Sequence, residues 1–275
     1  MSVVSVGRSC RGASAARGLF LGLTLLLALP SVVRADAALD EYNTAVGLYK
    51  QDRWKPAAVQ FRAFLKAYDK HEKAPLAKLY LGLTLVNLDD FTAARDELRA
   101  FAKENPQNAN VAQARYRIAE CSYLLNDLAV ARTDLDSYLK DFPKDPFHDH
   151  ALPYLADVQL RLNDPTTALN LFQQSIDRFP TGPLVEDAKF GRARSLELLK
   201  REDEALVSFK ELAAKQDGPR AADAQFHIAA IAFDRKQFPE AAAAYIDLTK
   251  NFPEESLRVV GASQRGLRAL SVGSV

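Results

Sequence analysis

Six alanines (Ala57, Ala94, Ala131, Ala168, Ala205 and Ala241) stand 37 residues apart, the last gap being 36. Twelve residues before each lies a second small residue: Ala45, Gly82, Ala119, Ala156, Ala193 and Ala229. Twelve residues after four of them comes a proline, at Pro106, Pro143, Pro180 and Pro253, with Asp69 and Asp217 in the other two slots. A fixed period of this length restricts the chain to a stack of like units, because one unit so small cannot bury its own apolar face. Such a solenoid works by presenting a surface rather than by enclosing a catalytic pocket.

Within a unit the spacing predicts two helices. Leu76, Leu79, Leu83 and Val86 recur as one helical face over 76–87. Asn87-Leu88-Asp89-Asp90 then breaks the pattern and supplies capping oxygens. Phe91, Ala94, Leu98 and Phe101 form the stripe of a second helix, and Asn105-Pro106 stops it, because proline disfavours helix in its predecessor and has no N–H to continue the ladder. Asp141-Phe142-Pro143, Arg178-Phe179-Pro180 and Asn251-Phe252-Pro253 repeat the stop. No stretch alternates with strand period, so the fold class is all-α. The small residues set the crossing point, since helices approach to about 8 Å only where the side chains between them are small. Phe61, Leu98, Leu135, Phe172, Phe209 and Tyr245 are expected to fill the space between hairpins.

Gly82, Phe91, Ala94, Leu98 and Pro106, and again Ala229, Phe238, Ala241, Tyr245 and Pro253, resemble the small–aromatic–alanine–apolar–proline pattern of the tetratricopeptide repeat family. The resemblance implies a right-handed superhelix of six hairpins over 36–258, with the residues in excess of the family's usual unit falling after each proline. Lengthened units of this kind look like those of bacterial envelope proteins, notably periplasmic Tol–Pal-associated division coordinators and lipoproteins of outer-membrane barrel assembly. The tryptophan often found early in the family's first helix is replaced by Glu41, Lys78, Arg115, Leu152, Lys189 and Gln225. Pro153, expected in a first turn, predicts a small bend or a shortened helix in the fourth unit. Residues 259–275 read as a capping helix and a frayed tail.

Residues 1–35 read as a secretory signal peptide. Arg8, Arg11 and Arg17 precede an uncharged run from Gly18 to Val33, and small residues follow. The run is shorter than the roughly 20 residues a spanning helix needs, although a retained anchor is the competing reading. Cys10 precedes the run, which argues against a lipoprotein. Cleavage would remove four of the 36 basic residues and none of the 35 acidic ones, leaving a formal charge of −3 and Cys121 as the one cysteine. That rules out an internal disulfide, and near-neutral mixed charge gives no footprint for nucleic acid. Periplasmic localisation is the expectation.

Chemistry-bearing constellations are sparse. His148-Asp149-His150 reads as a polar connector; a metal-binding protein or enzyme built on His148 and His150 is the alternative, with no third ligand at a suitable spacing. No cofactor, metal, catalytic residue or small-molecule substrate is expected. Cys121 reads as a packing residue. Tyr42 and Tyr49, Tyr116 and Tyr123, and Phe226 and Phe233 are pairs seven apart on first helices, with Phe190 in the equivalent slot of the fifth unit. The family resemblance puts these slots on or near the concave wall, where aromatics would anchor a protein or peptide. Packing between neighbouring hairpins explains them equally well. Tyr42, Val46, Leu83 and Gln113 occupy positions where a clamp for acidic chaperone tails needs lysine, arginine or asparagine, so that partner is disfavoured. The sequence therefore points to a scaffold for a partner of the cell envelope, with self-association as a further possibility.

Overall fold

The computed structural model describes residues 29–255, with side chains from residue 37. The segment before Leu29, which holds most of the signal-peptide reading, and the proposed capping helix of 259–275 lie outside the described residues. Among the described residues there are α-helices and no strand. They are α1 (Leu29–Lys50), α2 (Trp54–Ala67), α3 (Ala74–Val86), α4 (Phe91–Glu104), α5 (Val111–Leu124) and α6 (Leu128–Asp141). There follow α7 (His148–Arg161), α8 (Pro165–Arg178), α9 (Val185–Leu198), α10 (Glu202–Ala213), α11 (Ala221–Asp234) and α12 (Phe238–Asn251). No described helix is long and apolar enough to cross a membrane.

The chain divides into two compact units, residues 1–77 and 78–275. In the first, α1 packs on α2. In the second, each helix from α4 to α11 packs on its successor, and α7 also touches α5 and α9. The alanine ladder lies at these crossings. All six ladder alanines are buried, as are the five alanines of the preceding small position. Gly82 completes that set, and a Cβ there would come within 2.6 Å of Leu98 Cγ. Leu98 leans into the space that alanine fills elsewhere.

Each hairpin turn is closed in the same way. Asp52, Asp89, Asn126, Asn163, Lys200 and Lys236 have φ between 56° and 62°. At Lys200 the backbone N–H donates to Glu197 O at 3.0 Å, and the next N–H, of Arg201, donates to Leu196 O at 2.9 Å. The same pair of bonds recurs in all six turns. This is a Schellman motif, which satisfies carbonyls that the helix end would orphan and favours glycine at the left-handed position. No turn here uses glycine. Asp and Asn tolerate that conformation through local side-chain hydrogen bonding; lysine does not.

In the second and fourth units the second helix then starts on an acidic cap. Asp90 Oδ1 accepts from Ala93 N, and Asp164 Oδ1 accepts from Thr167 N at 3.0 Å. Pro165 sits in the first turn of α8, where its missing N–H costs nothing. Pro153 departs from expectation. It is buried in the second turn of α7, which keeps the 14 residues of its neighbours and is not shortened. The helix begins at His148, so the triplet expected as a connector forms its first turn instead.

Candidate functional site

The aromatics singled out from sequence take up different roles. Tyr42 is buried, with its ring 5.7 Å from Phe64. Tyr49 meets Trp54 edge-on at 5.2 Å. Tyr116 is 1 % exposed; its ring stacks on Phe147 at 4.5 Å, and its hydroxyl donates to Glu120 at 2.9 Å. Phe226 packs edge-on against Tyr245. Phe233 is exposed beside Phe238. The structure brings two of the set together: Tyr123 and Phe190 line one cavity of about 300 Å³ in the second unit.

Three successive first helices, α5, α7 and α9, build that cavity, and Arg220 at the start of α11 closes one side. Tyr123 stacks on Tyr154 at 4.5 Å, giving one aromatic wall. Phe190 and Pro153 contribute two more apolar surfaces, and Phe172, from α8, supplies a buried floor. The floor exists because position 191 is glycine: a Cβ there would lie 2.2 Å from Phe172 Cζ. Tyr154 and Gly191 occupy the same register slot, two before Ala156 and Ala193. A bulky residue in one unit is thus followed in the next by a glycine whose side-chain space the Phe172 ring fills.

The polar lining is balanced, with Asp157 and Asp187 against Arg194 and Arg220. Asp157 Oδ2 accepts from the Tyr123 hydroxyl at 2.9 Å and from Arg161 at 3.4 Å. Asp187 Oδ1 accepts from Arg220, whose guanidinium also donates to Asp223 and covers the Phe190 ring at 5.4 Å. Burial, followed by the Asp157 charge, pushes the Tyr123 hydroxyl well above the ordinary tyrosine range, so it stays a donor. Arg194 Nε lies 3.4 Å from Glu197, too poorly placed for a hydrogen bond.

Sequence reasoning missed Tyr154, Gly191 and Arg220. Their register positions were readable from the ladder, but their convergence depends on how neighbouring units stack. The histidines do not converge. His148 is buried; its Nε2–H donates to Phe142 O at 2.8 Å, and its Nδ1 accepts from Arg178 at 3.2 Å. His150 pairs with Asp149 at 2.7 Å. Both ring nitrogens of His148 are therefore engaged, one of them with a cation, which opposes the metal-site alternative. Among the described residues no three His, Cys, Asp or Glu side chains come together as a metal site. His227 stacks on Phe209 at 4.9 Å and forms a contact between hairpins.

The family model described as tetratricopeptide repeat matches residues 42–109, 82–146, 155–218 and 203–256. Among solved structures the chain is similar to PilF of Pseudomonas aeruginosa, at 17 % identity and TM-score 0.58, over 83 % of this chain and 99 % of that one. It is also similar to YrrB, a repeat protein with an unusual peptide-binding site, at 17 % identity and TM-score 0.55, over 74 % and 98 %. A third is MamA of Desulfovibrio magneticus, at 15 % identity and TM-score 0.55, over 64 % and 93 %. At these identities the likeness shows the fold alone. No curated protein matches the sequence.

Proposed function

Because the chain belongs to the tetratricopeptide repeat family, whose members are generally non-catalytic scaffolds for protein partners, we propose that it is an exported binding module that docks a cell-envelope protein along its first helices. The cavity carries this reading. Three consecutive first helices jointly expose aromatic and charged groups, whereas the ladder residues and the fillers close the spaces behind them. The basic start and uncharged run of residues 1–35 support export, here to the periplasm of a bacterium. The lengthened 37-residue unit supports a role near envelope division or outer-membrane and peptidoglycan coordination, as in the envelope proteins it resembles.

Two experiments test this. A photo-crosslinking residue placed at Tyr123, Asp187 or Phe190 in living cells should capture one common envelope protein. The same residue at Lys210, exposed on second helix α10, should not. Equal capture from both faces, or none from the wall, would refute the docking surface. Fusion of residues 1–35 to an enzyme active only outside the cytosol should give activity, and an inactive fusion would remove export from the proposal.

A further inference from the structure

From the cavity between α5, α7 and α9 we infer that the partner is read through one large, uncharged apolar side chain, inserted with its flanking peptide backbone extended across the first helices. This rests on the docking reading above and specifies its occupant. The volume of about 300 Å³ lies at the bottom of the range for ligand pockets, roughly 300–1,000 Å³, so it suits one or two side chains. Phe172 and the Tyr123–Tyr154 stack provide apolar contact on the floor and one wall.

Charge decides between an apolar anchor and a charged one. Two carboxylates and two guanidiniums line the space and cancel, so a cationic or anionic side chain would be stripped of water with no net compensating field. What remains unused is mixed. Asp157 Oδ1 and Asp187 Oδ2 accept no hydrogen bond among the described residues, while the Arg194 guanidinium and the Tyr154 hydroxyl donate none. Spare acceptors and spare donors in one lining match the alternating N–H and C=O groups of an extended backbone. A neutral side chain in the hollow adds no charge to this lining and leaves its own peptide bonds to pair with both sets.

Capped pentapeptides Gly-Ser-X-Ser-Gly, with X as Phe, Leu, Arg or Glu, titrated into the isotope-labelled full chain, test this by the amide resonance of Gly191 and its neighbours. The Phe and Leu peptides should bind saturably and at least about tenfold more tightly than the Arg and Glu peptides, a difference of about 1.4 kcal/mol. Tyr154→Ala should weaken the Phe peptide by a similar factor, while Val207→Ser, on exposed α10, leaves it unchanged. Should Tyr154→Ala lose helicity, Tyr154→Leu keeps apolar volume and removes the ring, and it should still weaken Phe binding. Tightest binding by the Arg or Glu peptide, or shifts confined to residues away from Gly191, would overturn the inference. If wall crosslinks succeed while no pentapeptide moves Gly191, the docking reading survives and this inference falls.

Discussion

The same substitution, glycine to alanine inside a helix, should have opposite signs at two positions of this chain. In an open site it gains about 1 kcal/mol of helix propensity, because glycine loses more backbone freedom on folding. Gly47 in α1 is such a site, with nothing within 4 Å of an added Cβ. Gly191 in α9 is not. There the Cβ would meet three ring carbons of Phe172 at 2.2, 2.5 and 2.5 Å, and regaining an ordinary contact of 3.4 Å requires the ring edge to retreat by about 1.2 Å. Phe172 is 2 % exposed and packed in a cluster with Ala156, Ala168 and Ala188. Overpacking of this kind costs roughly 1–3 kcal/mol, occasionally more. With three ring carbons to displace, the cost lies toward the upper end of that range, so after the propensity gain Gly191→Ala should destabilise by up to about 2 kcal/mol, while Gly47→Ala stabilises by about 1 kcal/mol. Thermal unfolding followed by helical circular dichroism reads this as displacements in opposite directions, about 2–4 °C for each kcal/mol at this chain length. The cavity adds a second readout: a displaced Phe172 ring should disturb Tyr123 and Tyr154, visible in near-ultraviolet dichroism. A Gly191→Ala protein that melts at or above the parent temperature would refute the account of that position.

Three further outcomes follow from other sites. Lys200→Gly should stabilise the fifth hairpin turn by roughly 1 kcal/mol, since a left-handed non-glycine residue costs about 1–2 kcal/mol before glycine's own entropy is counted; a lowered melting temperature would contradict it. Burial first, and the Arg178 cation as well, holds the His148 imidazole below its ordinary value against the raising effect of its Phe142 bond, so folding favours the neutral ring. That stability is present above about pH 6.5 and is lost as the pH falls from there through the lowered value. His148→Gln should therefore flatten the pH dependence of melting in that window, and an unaltered profile would exclude the histidine. Burial, then the neighbouring Glu120 charge, pushes the Cys121 thiol up to about 12, so a thiol reagent at neutral pH should label it only after unfolding; rapid labelling of the folded chain would show that the site opens.

The helices and their crossings were legible because the signal repeats. One alanine spacing is weak, but six alanines in register leave few alternatives, and the capping aspartates and stop prolines agree with it. The loops were only half legible. Asp52, Asp89, Asn126 and Asn163 announce a left-handed residue, but nothing about lysine does, so Lys200 and Lys236 are found by register alone. The aromatics were harder still. Tyr116 and Tyr123 sit on one helix seven residues apart, yet one ring is sealed under Phe147 and the other faces a cavity. Side-chain periodicity says which residues share a face; it does not say what the next unit places against them. His148 was misread because its charge pattern suggested a connector, whereas its partners come from a preceding turn and from the far end of α8.

The cavity has a consequence for how such an array can change over time. Its parts come from three neighbouring units: the stacked tyrosine from one, the partner tyrosine from the next, the missing side chain from the third. Duplicating, deleting or exchanging a unit would leave every ladder crossing intact, since both small residues of a crossing lie within one unit. The same edit would separate Tyr123 from Tyr154 or Tyr154 from Gly191 and erase the hollow. The units are interchangeable as architecture and not as recognition, so what this surface selects is encoded in the order of its repeats.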